Sequence, residues 1–155
     1  MSKVEEKAKE LSTTEMWRRL FRSPAANAFL EDNENAFILP TFSEYITELC
    51  RIKGEKPERV LKRANIESSF GHRLFNGNRK PSRDTVLQLS FGLDLDVDKT
   101  QQLLKVAREA PLHPKVKRDA VIAWCLKRSK SVDEAQQILL ENELPILGGA
   151  KHGAD

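Results

Sequence analysis

Five side chains between residues 67 and 76 share a chemistry of hydrogen bonding and fixed charge. They are Ser68, Ser69, His72, Arg73 and Asn76, in the stretch ESSFGHRLFN. At 3.6 residues per turn they fall on one arc of a helix, with Phe70, Gly71 and Leu74 on the other. Arg73 lies in the middle of the polar arc. Its planar guanidinium can donate two parallel hydrogen bonds, the pattern that matches O6 and N7 of guanine. Ser68, Ser69, His72 and Asn76 can reach base edges or sugar-phosphate, and for His72 a plain surface role stands beside a DNA contact. Just beyond lie Asn78, Arg79, Lys80 and Arg83, suited to phosphate because they flank the helix and precede another helix N-terminus. Glu67, at the helix start, favours the helix dipole and is expected to point away from any phosphate path. A solvated polar face with a basic loop would explain any one of these residues. Their joint placement opposite Phe70 and Leu74 favours double-stranded DNA as the partner.

Two short helices must hold that arc. Residues 57–64 form the first, with Pro57 at its first position and Val60, Leu61 and Ala64 facing inward. Ala64-Asn65-Ile66 is the turn, and residues 67–75 form the second helix. The order "helix, A-N-I, helix, L-F-N-G, R-K-P-S" resembles the helix-turn-helix of phage-repressor proteins, the Cro/CI-like or Xre family, over roughly residues 42–107. That turn usually carries Gly. Asn65 suits it because Asn tolerates the left-handed conformation. Pro57 stands where the family often has Gln. Gly71 stands where it usually has a branched aliphatic residue, and Phe70 is expected to supply the missing bulk. The resemblance implies an all-α, lambda-repressor-like five-helix domain and a sequence-specific DNA-binding transcriptional regulator, a repressor occupying an operator, with helix 67–76 in the major groove.

The remaining elements follow from periodicity and caps. Thr41 or Ser43 caps a helix over 41–53 with Phe42, Tyr45, Ile46, Leu49 and Ile52 inward, ended by Gly54. Ser82 caps the next, with Val86, Leu87, Leu89 and Phe91 inward and Gly92 as its stop. Asp96 caps a fifth, with Thr100, Leu103, Leu104 and Ala107 inward. Beyond Pro111, Pro114 opens a helix to about residue 128, with Val116, Ala120, Val121, Trp124 and Cys125 on its apolar side. Ser131-Val-Asp-Glu134 is a capping box, starting a last helix to about residue 142 with Ala135, Ile138 and Leu139 inward. The expected organisation is an N-terminal helical extension (1–40), the helix-turn-helix domain (41–109), a C-terminal helical hairpin (110–147) and a flexible tail (148–155). In the extension, residues 1–14 read as a weak amphipathic helix and 31–35 as a polar loop. Trp17 and Phe21 are expected to pack against the domain, with a dimer or partner contact as the alternative.

The net charge of +3 is concentrated. Residues 42–92 hold ten basic and six acidic residues, whereas 1–41 hold six and seven, and 93–155 ten of each. Phosphate attraction acts within about a Debye length, so a local excess matters more than the total. Catalysis is disfavoured, because no nucleophile–base arrangement or glycine-rich phosphate loop occurs. No cofactor or metal is expected, since His72, His113 and His152 have no ligand spacing. Cys50 and Cys125 read as buried free thiols. The longest apolar run, residues 121–126, is too short to span a bilayer, and the charged N-terminus does not suit a signal peptide, so a cytoplasmic protein without a membrane partner is expected. A homodimer would match a palindromic operator. The competing reading is a protein-interaction adaptor on a helix-turn-helix scaffold. RNA binding is less suited, for want of stacking aromatics on a sheet.

Overall fold

The computed structural model describes residues 12–37 and 39–149, all helix, turn and loop with no strand among them. The expected helix at 1–14 lies mostly outside this range, as does most of the expected tail. Two compact units divide between Pro40 and Thr41.

The first unit contains α1 (Thr13–Arg22), α2 (Ala26–Asp32) and a 3-10 turn, Glu34–Ala36. Ser12 caps α1 by accepting from the Glu15 amide. Buried Asn33 joins the elements, donating to the Phe29 carbonyl (2.8 Å) and accepting from Arg19 (3.0 Å). The polar stretch 31–35, expected as a loop, is therefore mostly helical, because the Asn33 side chain satisfies the end of α2. Phe29 is buried edge-on to Phe37. Trp17 and Phe21 do not enter a core. They stack on each other at 5.5 Å, one helical turn apart, and remain 55% and 78% exposed.

The second unit holds α3 (Phe42–Lys53), α4 (Pro57–Arg63), α5 (Ser68–Phe75), α6 (Arg83–Gly92), α7 (Val97–Val106), α8 (Lys117–Lys127) and α9 (Val132–Glu141). Helix α6 is its axis. Every residue from Asp84 to Gly92 is buried, and α4, α7 and α9 all pack on it. A helix buried on all sides needs apolar or internally bonded residues throughout. Accordingly Ser90 donates to the Val86 carbonyl and Gln88 donates across to α4. One core runs from Ile46 and Leu61 through Leu87 and Leu103 to Ile122 and Leu139.

The caps fall where expected. Thr41 and Ser131 form capping boxes, while Ser82 and Asp96 accept from their third helical amides. Several inward faces differ. On α3 the buried line runs through Ile46 and Cys50, so Ile52 falls beyond its edge and is exposed. Gly92 is not the left-handed stop of α6; that residue is Asp94, at φ 51°. Gly92 permits contact instead, since a methyl there would lie 2.5 Å from the Val60 carbonyl oxygen. Helix α8 starts at Lys117 and not Pro114, because the Lys115 amide donates to His113 Nδ1 and holds residues 113–116 in a turn. Its buried face is Asp119, Ile122, Cys125 and Leu126. Val116 and Trp124, expected inward, are exposed, and the Arg128 guanidinium lies 4.3 Å from the Trp124 ring. Nor does the chain loosen at 148: Leu147 is buried, and the Gly148 amide donates to Asp84 at 2.9 Å.

Candidate nucleic-acid interface

Helix α5 is held from three directions. Asn65, the turn residue, adopts φ 57° as expected, which reverses the chain between α4 and α5. Beneath the turn, Gln88 of α6 donates to the carbonyls of Ala64 (3.0 Å) and Asn65 (3.4 Å). Beside it, the Asn65 side chain donates to Asp133 in the first turn of α9 (2.7 Å). The inner face of α5 is Gly71 and Leu74, both buried. A methyl on Gly71 would sit 2.4 Å from both δ-carbons of Leu61, so the missing bulk comes from α4. Phe70, expected to supply it, is only half-buried.

The opposite face is open. Ser68, Ser69, His72, Arg73 and Asn76 are all exposed. No hydrogen bond or ion pair among the described residues ties down the Arg73 guanidinium. His72 lies 3.9 Å from Glu58. Glu67 caps the helix, accepting from the Ser69 amide (3.0 Å) and the Phe70 amide (2.8 Å). Those two bonds, led by that from Phe70, hold its carboxyl below the usual glutamate range, with a smaller contribution from the Arg73 charge. This cap sets the charge at the helix N-terminus, where the dipole favours it, and it anchors the acid on its own backbone.

The basic loop is fixed to the end of α5. Gly77, at φ 86°, turns the chain so that the amides of Asn78 (2.9 Å) and Arg79 (3.2 Å) both donate to the Arg73 carbonyl. Asn78, Arg79 and Lys80 are exposed, and the Arg79 guanidinium lies 5.5 Å from the Phe70 ring centre. The structure thus places eight of the nine expected site residues on an open surface around α5.

Arg83 is the ninth, and its expected place at a phosphate needs correction. Its guanidinium donates to both carboxylate oxygens of Asp119 (3.1 and 3.0 Å) and to the carbonyls of Ala110 (2.9 Å) and Pro111 (3.1 Å). The neighbouring Asp84 makes the reciprocal pair with Arg118, two bonds of 2.9 Å. Arg118 also donates to the carbonyls of Pro145 and Ile146. Two bidentate pairs therefore lock the first turn of α6 to the first turn of α8 and to the segment after α9. Sequence reasoning singled out Arg83 for another role and missed Asp84, Arg118 and Asp119. The one available signal was the pair of opposite dipeptides, Arg83-Asp84 and Arg118-Asp119, each at a helix start.

Among the described residues no group of His, Cys, Asp or Glu could hold a metal ion, and no helix is long and apolar enough to cross a membrane. Burial pushes the Cys50 thiol up to about 11, with Glu55 adding to the shift and Arg63 opposing it. Cys125 is raised for the same leading reason. Comparison with protein-family models, curated proteins and solved structures finds no match to this chain.

Proposed function

We propose that this protein is a sequence-specific double-stranded DNA-binding transcriptional regulator. In this reading α3–α7 form a repressor-like five-helix domain, α5 lies in the major groove, and the protein represses by occupying an operator. One observation carries it: a helix whose buried face is Gly71 and Leu74 presents Ser68, Ser69, His72, Arg73 and Asn76 outward, with Asn78 and Arg79 anchored at its end and exposed Lys80 following them. Arg73 is assigned to a guanine, and the loop residues to phosphate.

The two assignments separate experimentally. Arg73→Ala is expected to lose about 1–3 kcal/mol on a selected duplex and much less on random duplex. Arg79→Ala with Lys80→Ala is expected to weaken both duplexes alike and to reduce the salt slope by about one unit per lost contact. Equal losses for Arg73→Ala on both duplexes would make it a phosphate contact. No loss for any variant would remove α5 from the interface. A homodimer suits a two-fold operator, and light scattering showing a monomer both free and on DNA would exclude it.

The exposed Trp17–Phe21 stack, with Leu30, Phe37 and Leu39 exposed in the same unit, favours a second reading as a protein-interaction adaptor. Absence of salt-dependent duplex binding by the intact chain would select it.

A further inference from the structure

The first unit lacks the core that a stretch of its length needs. Below about 40 residues a folded unit usually depends on a disulfide, a metal or association, and Met1–Pro40 stands at that limit. Both cysteines of the chain, Cys50 and Cys125, lie beyond it. Among its described residues no group could hold a metal ion, and Phe29 is the one buried apolar side chain. Trp17, Phe21, Leu30 and Phe37 are instead 50–78% exposed. Charge in the unit is divided. On α1, Arg18 and Arg19 share the single acid Glu15, and Arg22 has no acid partner among the described residues. Positive charge is therefore in excess there. The following α2 and 3-10 turn carry Glu31, Asp32 and Glu34, all exposed, and no basic residue. None of these three acids makes an ion pair among the described residues. The unit thus joins exposed aromatic and aliphatic surface to one basic and one acidic segment, so two copies complement each other. In the C-terminal hairpin, by contrast, Ile122 and Leu139 are in the core and the Arg128 guanidinium lies over the Trp124 ring.

We infer that the first unit pairs with the first unit of a second copy, α1 of each lying on α2 and the 3-10 turn of the other. Such a two-fold contact is isologous, so every interaction in it occurs twice. Trp17 and Phe21 of one copy cover Leu30 and Phe37 of the other. Arg18 and Arg22 face Glu31 and Glu34 across the contact, which fixes which segment meets which. Large exposed apolar side chains bordered by charge are what a protein contact uses. The surface stands on the first unit alone and does not require DNA. It would supply the two-fold symmetry that the operator reading calls for.

The test uses the intact chain in sedimentation velocity over a concentration series, where a monomer–dimer equilibrium is expected. Phe21→Ser is expected to raise the dissociation constant about tenfold. Arg18→Glu with Arg22→Glu sets acid against acid in a homodimer, and Glu31→Lys with Glu34→Lys sets base against base. Each of these two variants alone is expected to be a monomer. An equal mixture of them is expected to form a heterodimer, because each new acid then meets a new base and each original base an original acid. Native mass spectrometry with one variant 15N-labelled separates heterodimer from homodimer. All four substitutions in one chain are expected to restore the homodimer, which a variant that had merely lost its fold could not do. A wild-type chain that is monomeric at every concentration overturns the inference and leaves the exposed side chains to a different protein. A dimer indifferent to Phe21→Ser and to the charge reversals overturns it as well. Two monomeric variants that stay monomeric when mixed and when combined overturn the pairing of α1 with α2. The expected dimer in a chain that binds no duplex leaves the inference standing and removes the DNA reading.

Discussion

Arg73 and Arg83 carry the same guanidinium in the same basic stretch, and the fold gives them opposite roles. Arg73 projects from a helix whose far side is buried, so its donors stay open. Arg83 is met by a buried carboxylate and two carbonyls, so its donors are taken. The difference lies in what approaches from a distant part of the chain, and local pattern cannot show it. Gly71 follows the same logic. Read alone it is a helix-weakening residue on an inward face. Beside Leu61 it is what lets α4 and α5 meet. Gly71→Ala is therefore expected to cost about 1–3 kcal/mol through overpacking, because Leu61 is itself buried and cannot swing away. The paired variant Gly71→Ala with Leu61→Ala should lose less than the sum of the singles, since each substitution relieves the other. Urea denaturation of the four proteins measures this, and strictly additive losses would show that the two side chains do not compete for one space.

Helix ends were legible in the sequence where a hydroxyl or Asp capped a clear apolar period: Thr41, Ser82, Asp96 and Ser131 all accept from the amide three residues on, whereas the caps at Ser12 and Glu67 were not read. Faces were less legible. The buried stripe of α8 includes an acid, Asp119, and a search for apolar periodicity passes it over in favour of Val121 and Trp124. Asp119 is inside only because Arg83 comes to meet it, and the His113 amide adds a third partner at 3.0 Å. That arrangement yields a prediction about elements. Asp119→Asn leaves a half-buried guanidinium without its counter-charge and should cost about 3 kcal/mol. Replacing both partners, Arg83→Met with Asp119→Leu, should cost less, because neither charge then remains buried alone. In protein that is still folded, Arg83→Ala should leave the salt slope of duplex binding unchanged, in contrast to Arg79→Ala. A reduced slope would return Arg83 to the phosphate contacts.

At the scale of the molecule, the two C-terminal helices are part of the core and not an appendage to it. Ile122, Cys125, Leu126, Ala135, Leu139 and Leu147 belong to one cluster with Ile46, Leu61, Leu74 and Leu87. Asn65, Asp84 and Arg83 each spend their hydrogen bonds on that half. The chain from Thr41 onward should then unfold as a single cooperative unit, with no state in which α3–α7 persist while α8 and α9 are lost. The two cysteines report on this without added probes. Cys50 lies in α3 and Cys125 in α8, both are buried, and both thiols are raised by burial, so neither forms the reactive thiolate readily in the native state. Each must become accessible through opening. Brief thiol labelling across a urea series, with the two sites separated by mass spectrometry, should give one midpoint for both. Asp119→Asn should move the two midpoints down together, because its ion pair joins the halves. Labelling of Cys125 at lower urea than Cys50 would mean that the C-terminal helices open first and that the helix-turn-helix segment is stable without them.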